Sequence, residues 1–489
     1  MITLAQDALQ HSGLNSGLHR GMASLATPTL AMASYEIYLL IMQVVILAWV
    51  FAFGSCVGSL INVLVYRLPL GLDVVTTPSR CSSCETRLTW RENIPVLGWV
   101  MLRGRCRFCH AKVSSEYPIV EAIVGVLWVL IYLILYADGG RFLGVPFQAL
   151  RPEWAFEGFR ETWPQFIVIV TLVSCLVAMT LIDARTFQIP LILTWVPAAV
   201  GVLFHTLHAL YVEHGTSFGR LMSVAPGWNW TIPAPGASSW GLIGAALGGT
   251  LGLGVSLLLV RFGLIRRSFE DYDAWEKQAL AAQTREEGND PTADAAAPSH
   301  APSPAPSPAP SPDIWVQYPH ARREMVREMA FLAAPALLAY AASALAHRLA
   351  GPFTFDPTTG ASVAATQAPL WLCVLAGALL GYLIGGGVVW AMRIFGSLAF
   401  NKEALGMGDV HLMAAVGACI GWIDSVLGFF AAAFVGVAWA ILGVVGSGTF
   451  KRAMPFGPFL AVGSVLVWAF KPGVEWLLSR LMHQPVNLP

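Results

Sequence analysis

Charged side chains are scarce in this sequence of 489 residues, of which only 12% are Asp, Glu, Lys or Arg. A soluble domain carries about twice that fraction. Hydrophobic residues make up 56% of the chain, and the mean hydropathy is +0.62. The composition therefore excludes a soluble globular protein and a disordered chain, and it indicates an integral membrane protein. Because 29 basic residues balance 29 acidic ones, no overall positive field attracts nucleic acid, and none is expected as a partner.

Several common catalytic motifs are also missing from the sequence. It contains no His-Glu-x-x-His, no Walker A loop, no Gly-x-Ser-x-Gly and no Rossmann glycine pattern. His205 and His208 lie within an apolar segment, where we interpret them as buried polar residues rather than metal ligands. Any chemistry must therefore come from other residues.

Long apolar runs dominate what is present. Each predicted span is close to the roughly 20 residues that a helix needs to cross a bilayer. The predicted spans are 38–62, 118–136, 164–182, 190–211, 240–262, 329–349, 370–392, 410–422, 426–446 and 458–479, the eighth being short. The fold expected is an all-α polytopic membrane protein with about ten transmembrane helices and a small zinc-binding cytoplasmic loop domain.

Basic residues accumulate in alternate loops. The loop 67–117 contains Arg67, Arg80, Arg87, Arg91, Arg103, Arg105, Arg107 and Lys112. Loops rich in Lys and Arg stay in the cytoplasm, so this loop is expected there. Alternation then places 183–189, 263–328, 393–409 and 447–457 on the same side, with both termini outside.

The predicted domain organisation follows these segments. It comprises an N-terminal extension at 1–35, a first helix at 36–66, the cysteine-bearing loop domain at 67–117, helices at 118–262, a Pro/Ala/Ser-rich cytoplasmic linker at 263–328, and helices at 329–489. The repeat at 301–312 cannot form a packed core and is typical of an extended linker. Met22 and Met32 are alternative start positions for the extension.

Four of the eight cysteines form a pattern of two Cys-x-x-Cys pairs: Cys81, Cys84, Cys106 and Cys109. Four thiolates at this spacing suit tetrahedral Zn²⁺, and the neighbouring arginines favour ionised sulfur. Two disulfides and an iron–sulfur site are the alternatives, although a cytoplasmic location disfavours disulfides. The other four, Cys56, Cys175, Cys373 and Cys419, lie in apolar segments and are interpreted as small core residues.

Two aspartates lie at ends of apolar segments on the predicted cytoplasmic side. Asp183 follows the third segment, and Asp409 precedes the eighth in the motif Gly406-Met-Gly-Asp409. Two adjacent carboxyl groups sharing one proton can activate a water molecule and polarise an amide carbonyl. Gly406 and Gly408 are expected to support the site by permitting a backbone turn and a close approach of substrate. Either aspartate taken alone is more readily explained as a helix cap.

Together these features resemble the bacterial type IV prepilin peptidases, membrane aspartyl proteases of the Gly-x-Gly-Asp class. The resemblance starts with a first-helix motif at 53–69 and continues through both Cys-x-x-Cys pairs to Glu121. It then includes Asp183 with Pro190, the Gly-x-Gly-Asp motif, and a late motif at 455–459. The resemblance covers roughly 45–215 and 370–470.

The resemblance implies roles for particular residues. Asp183 and Asp409 would be the catalytic pair, and the four clustered cysteines would hold structural zinc. The substrates would be type IV prepilins or pseudopilins, cut after a glycine at the cytoplasmic face of the inner membrane. Many members then methylate the new N-terminus using S-adenosylmethionine, an activity associated with the cysteine-bearing region. Gly104 and Glu121 fall in that region's motifs without an assigned role, and the cofactor-binding residues stay unknown.

The sequence departs from the family pattern between the two aspartates. Arg185 and Leu191 stand where members often have acids, and His411 stands where Lys is usual. The aspartates are also much farther apart in sequence than in typical members. We expect an extra helical hairpin, most simply 240–349 with its linker, which lies at the periphery of the catalytic core.

Three functional hypotheses stay open at this point. The first is a peptidase that also methylates its product. The second is a peptidase without methyltransferase activity. The third is a non-enzymatic membrane scaffold or transporter with a zinc-stabilised domain, which predicts a polar track through the membrane. The scarcity of charge within the spans argues against the third.

Overall fold

The structure is a computed structural model. It describes residues 26–142, 144–214, 239–272, 274–275, 320–351, 353–356, 361–364, 366, 368–447, 455–486 and 488. Most of the N-terminal extension and the Pro-rich repeat at 301–312 lie outside the described residues, as do the alternative start Met22 and the basic residues at 451–452.

Helices account for nearly all the described secondary structure. In chain order they are α1 Ala26–Arg67, α2 Leu97–Met101, α3 Glu116–Tyr136, α4 Phe147–Leu150, α5 Phe159–Thr186, α6 Leu191–His214, α7 Ser239–Arg261, α8 Ala321–Ala350, α9 Leu370–Phe400, α10 Met407–Ile420, α11 Trp422–Ser447, α12 Gly457–Ala469 and α13 Lys471–Met482. A 3-10 turn covers Glu153–Glu157. Two antiparallel two-stranded hairpins pair β1 Arg141–Phe142 with β2 Val145–Pro146, and β3 Phe353–Asp356 with β4 Ala361–Ala364.

All ten predicted apolar segments are helical, and the helical membrane fold is confirmed. Eight described helices are long and apolar enough to cross a membrane, or nine if the bent pair α12–α13 counts as one span. The difference from ten comes from two segments. Helix α10 has only 14 residues. The last predicted span is broken by an 89° bend between Ala469 and Lys471, where Lys471 and Pro472 begin a new helix.

Helix α5 lies at the centre of the molecule. It packs against α1, α3, α6, α10 and α12, and it is the most buried of the candidate spans. Its buried side chains include Leu172, Leu176 and Met179. In contrast, α1 and α8 expose most of their apolar surface, as helices that face lipid do. The carboxyl end of α5, which carries Asp183, is therefore held by packing on several sides.

Glycines bring two pairs of helices into close contact. Gly244, Gly248 and Gly252 of α7, spaced four residues apart, lie against the backbone of α8, a spacing typical of closely packed helices. Gly381 of α9 faces Gly417 of α10, where a Cβ on either would overlap the opposite backbone. Helix α10, which carries Asp409, is thereby locked against α9.

The four cysteines outside the cluster differ in their exposure to solvent. Cys373 and Cys419 are buried, as expected of small core residues, and Cys175 is half-buried. Cys56 is exposed, so the prediction that it lies in the core is wrong. The reason is that α1 lies at the edge of the helix bundle and presents this face outward.

Candidate active site and metal centre

Asp183 lies in the last turn of α5, and its carboxylate binds the start of another helix. Its Oδ2 accepts a hydrogen bond of 3.1 Å from the backbone N–H of Gly457, the first residue of α12. A carboxylate is disfavoured at the end of its own helix but is stabilised at the N-terminus of a second one. The late motif at 455–459 therefore supplies a partner for Asp183, a role that its sequence alone did not reveal.

Asp409 lies in the first turn of α10. Its Oδ2 accepts a hydrogen bond of 3.2 Å from the backbone N–H of Gly406, so it caps its own helix. The side chains of Asp183 and Asp409 are both buried, with residue exposures of 6% and 7%. They are close enough to interact electrostatically. Two aspartates that are distant in sequence therefore lie within electrostatic range of each other.

Ile189 fills the space beside both aspartates. A Cβ added at Gly408 would lie 2.9 Å from Cβ of Ile189, and one added at Gly457 would lie 3.2 Å from its Cδ1. Neither Gly406 nor Gly408 has a positive φ, so neither glycine adopts a backbone conformation that other residues resist. Gly406 has an extended backbone with φ −73° and ψ 150°. The contact with Ile189 leaves no room for a side chain at position 408. Ile189 follows Asp183 in the same family motif.

The two buried histidines have polar partners. His205 contacts the carbonyl oxygen of Cys419 at 3.0 Å, and His208 contacts the side chain of Gln165 at 2.7 Å and the carbonyl oxygen of Glu161 at 2.9 Å. Within the described part of the chain, neither belongs to a group of metal-ligating side chains. Their interpretation as buried polar residues is confirmed.

The four clustered cysteines converge in the loop between α1 and α3. All four Sγ atoms lie within 4.8 Å of one another. The Sγ atoms of Cys81 and Cys109 are 3.8 Å apart, and those of Cys84 and Cys106 are 4.0 Å apart. A disulfide requires about 2.05 Å, whereas four sulfurs around one Zn²⁺ at about 2.3 Å are roughly 3.8 Å apart. The cluster thus has the dimensions of a tetrahedral metal centre, and the disulfide alternative does not fit.

The two Cys-x-x-Cys turns have the same backbone pattern. The N–H of Cys81 donates to the carbonyl of Thr86, as the N–H of Cys106 does to that of Ala111. Glu85 and His110 occupy equivalent positions and both have positive φ. This repeated turn points backbone N–H groups at the sulfurs.

The backbone N–H groups lower the pKa values of two thiols, Cys81 through Ser83 and Cys106 through Cys109. The N–H of Ala111 has the same effect on Cys109. Burial and the other three cysteines nevertheless raise the pKa of Cys109 to about 11. Four adjacent thiolates repel one another unless a cation lies between them, so the donor set fits a bound metal ion.

Glu121 connects the cysteine-bearing loop to the helices. Its Oε2 accepts a 2.6 Å hydrogen bond from the backbone N–H of Val96, which has a positive φ of 61°. A left-handed backbone is unusual for a β-branched residue. Arg185 also forms a 3.0 Å ion pair with Glu116 at the start of α3. The loop is therefore attached close to the end of α5 that carries Asp183.

Two family models match the chain. Residues 52–135 match the Bacterial Peptidase A24 N-terminal domain, which includes the four cysteines, and residues 335–441 match the Type IV leader peptidase family, which includes Gly406 to Asp409. Two separate segments of the chain are therefore similar to the type IV leader peptidase family. Asp183 and Gly457 lie outside both matched segments, so their assignment depends on the motifs and on the contacts described above.

Several relatives of this chain are named prepilin leader peptidase/N-methyltransferase. The relative from Myxococcus xanthus is 36% identical over 146 residues, which is 30% of this chain and 36% of the relative. The relative from Klebsiella pneumoniae is 32% identical over 171 residues, covering 34% and 64%. That from Dickeya chrysanthemi is 30% identical over 175 residues, covering 31% and 53%. The chain thus spans between about one third and two thirds of the length of these relatives. No solved structure matches it.

Proposed function

We propose that this chain is a membrane aspartyl endopeptidase. It removes the basic leader peptide from type IV prepilins or pseudopilins at the cytoplasmic face of the bacterial inner membrane. The observation that carries the proposal is the meeting of Asp183 and Asp409, which have the family's motifs and order, at the ends of two helices.

The arrangement supports hydrolysis by a shared pair of carboxyl groups. Each aspartate uses Oδ2 to accept one backbone N–H, from Gly457 or from Gly406. The other oxygen of each can then face a water molecule or a substrate carbonyl. The ionised aspartate takes a proton from the water, which attacks the carbonyl carbon, while the protonated aspartate donates a hydrogen bond to the carbonyl oxygen. Proton return to the amide nitrogen then releases the leader.

The test of this proposal is a direct assay of the purified full-length protein in detergent. A prepilin peptide with a basic leader, a glycine at the cleavage position and an apolar helix should be cut after that glycine, as mass spectrometry of both fragments would show. An intact peptide under conditions where the protein is folded would contradict the proposal and favour the scaffold or transporter hypothesis.

We expect substrate selection at the residue before the cleaved bond. Ile189 packs on Gly408 and Gly457 next to the aspartates, which leaves little room for a side chain there. Replacing the substrate glycine by leucine or phenylalanine should lower kcat/KM by at least about a hundredfold, and alanine should be tolerated better. Equal cleavage of the glycine and phenylalanine peptides would show that the site does not select by size.

Gly457 should be required for the position of Asp183. A Cβ at Gly457 would lie 2.5 Å from Oδ2 of Asp183, so Gly457→Ala must displace the carboxylate or the start of α12. We expect kcat to fall about tenfold or more, since small displacements of catalytic groups have large effects. Gly473→Ala is the matched control, because a Cβ at this helical glycine meets no atom within 4 Å. Equal kinetics for the two variants would contradict this role.

We further propose that the chain methylates the new N-terminus of the mature pilin. The support is the match of residues 52–135 to the N-terminal domain and the names of the relatives. S-adenosylmethionine would supply the methyl group, and we assign no residues to its binding. Incubation of the cleaved pilin peptide with the protein and S-adenosylmethionine should add one methyl group to its N-terminal amine. Cleavage without methyl transfer would favour a peptidase that lacks the second activity.

We propose zinc as the metal at the four cysteines, because tetrahedral thiolate ligation in a small domain is typical of structural Zn²⁺. The ion would hold the two Cys-x-x-Cys turns together and would take no part in peptide hydrolysis. A closed set of four protein ligands leaves no position for a water molecule or a substrate.

A further inference from the structure

Arg393 lies near the carboxyl end of α9 and is buried, with a residue exposure of only 1%. One side of its guanidinium group binds Glu328 of α8, through Nη2 at 3.1 Å and Nε at 3.2 Å. Glu328 is itself buried and also accepts a 2.7 Å hydrogen bond from Nε1 of Trp390. A buried arginine with a bidentate carboxylate partner is geometrically well defined.

The other side of the same guanidinium group holds the loop 401–406, which leads into the Gly-x-Gly-Asp motif. Nη1 of Arg393 donates to the carboxylate of Glu403 and to the backbone carbonyl of Leu405. Ser397 contributes a further contact at this loop, because its Oγ accepts a 3.0 Å hydrogen bond from the N–H of Ala404. Leu405 directly precedes Gly406, whose N–H binds Asp409.

Asp409 is also within electrostatic range of these charges. It interacts with Arg393 and Glu403 in addition to Asp183. The segment that follows α7 reaches the same place, since the ring of Phe269 lies 5.2 Å from the guanidinium carbon of Arg393. The backbone N–H of Phe269 in turn donates to Glu324 of α8 at 2.8 Å. The segment that follows α7 therefore lies against both Arg393 and helix α8.

We infer that Glu328 is a positioning residue for Asp409, acting through Arg393 on the loop 401–406, so that helix α8 is a working part of the active site. The inference rests on the proposed peptidase function for its kinetic consequence. It is opposed to the expectation that the hairpin 240–349 is peripheral, because Glu328 of that hairpin is the buried carboxylate that Arg393 binds.

The physical reason is the cost of an incompletely paired buried charge. The guanidinium group of Arg393 donates to Glu328 on one side, and to Glu403 and the carbonyl oxygen of Leu405 on the other. Without the charge of Glu328, the guanidinium group loses its bidentate partner and must find new acceptors or water. Movement of Arg393 would release the carbonyl of Leu405 and allow the loop before Asp409 to shift.

The variant that tests this is Glu328→Gln in the full-length protein, with Glu324→Gln as the matched control. Glu324 lies one turn earlier on α8, is equally buried and is ion-paired with Arg323 and Arg327. It makes no hydrogen bond to Arg393, and the side-chain oxygen of a glutamine at this position can still accept the N–H of Phe269. Glu328→Gln should lower kcat about tenfold or more with KM changed less than about threefold, whereas Glu324→Gln should stay within about threefold of the wild type. Arg393→Lys, which keeps the charge but loses the fork, should resemble Glu328→Gln.

A second measurement is independent of peptidase activity. Lys402 is exposed in the loop, so limited trypsin digestion in detergent, with peptides identified by mass spectrometry, reports the mobility of the loop. Cleavage after Lys402 should be faster in Glu328→Gln and Arg393→Lys than in the wild type and in Glu324→Gln. Unchanged kcat and unchanged cleavage in Glu328→Gln would overturn the inference, as would equal effects in both glutamate variants. If the wild type cuts no prepilin, the proposed function fails, and the trypsin result alone decides the inference.

Discussion

Replacing Asp183 or Asp409 by asparagine should reduce prepilin cleavage by at least about a thousandfold. Asparagine has nearly the same shape as aspartate, and its side-chain oxygen can still accept the N–H of Gly457 or Gly406. The fold should therefore be kept in both variants. The chemistry should be lost, because an amide can neither take the proton from the attacking water nor return one to the leaving nitrogen.

A matched control for this prediction is Asp424→Asn. Asp424 is also a buried aspartate in the first turn of a helix, where it forms a 3.3 Å ion pair with Lys471. Its neutralisation should lower the thermal stability of the protein but leave prepilin cleavage within about threefold of the wild type, since the change leaves Asp183, Asp409 and their N–H donors in place. Cleavage should be followed by gel mobility and by mass spectrometry of the products. Normal processing by both Asp183→Asn and Asp409→Asn would refute the catalytic assignment.

The hydrophobic pattern predicts where the helices lie but not how far each continues. Apolar runs identify all ten segments because a membrane-embedded backbone must satisfy its hydrogen bonds within helices. The bend before Lys471 was missed, although Pro472 gave a local signal for it, because the apolar run continues across the break. The exposure of Cys56 depends on where α1 packs in the bundle, and no local pattern reports that.

The aspartate pair could be predicted because each residue belongs to a recognisable motif, whereas Glu328 and Arg393 could not. Glu328 immediately precedes the predicted span 329–349, and Arg393 immediately follows the predicted span 370–392. Charges are common at such edges, so neither residue stands out in the sequence. Their pairing depends on the contact between α8 and α9. The sequence also did not show that Ile189 packs on Gly408, a contact that favours a glycine there without any need for a positive φ.

Removing one cysteine ligand, for example by Cys106→Ser, should release the metal and unfold the cysteine-bearing loop. Among residues 68–115, only Gly98, Gly104 and Cys106 are buried, so this region has no apolar core of its own. A segment of this size without a core needs a metal or a disulfide to fold, and the sulfur separations exclude disulfides. Structural zinc contributes an apparent binding free energy of about 10–16 kcal/mol in small peptides, far more than any contact available here.

The measurement for this prediction is the metal content of the purified protein together with limited trypsin digestion. The wild type should contain one zinc ion per chain, and Cys106→Ser should contain close to none, with rapid cleavage at Arg103, Arg105 and Arg107. Cys56→Ser is the matched control, because Cys56 lies exposed on α1 and outside the cluster, and it should retain both the zinc and the resistance to trypsin. Iron in place of zinc in the wild type would favour the iron–sulfur alternative. Full zinc content in Cys106→Ser would show that the four sulfurs do not form the metal centre. Because Glu121 and the Arg185–Glu116 ion pair attach this loop to the helices near Asp183, unfolding of the loop should also slow prepilin cleavage without abolishing it.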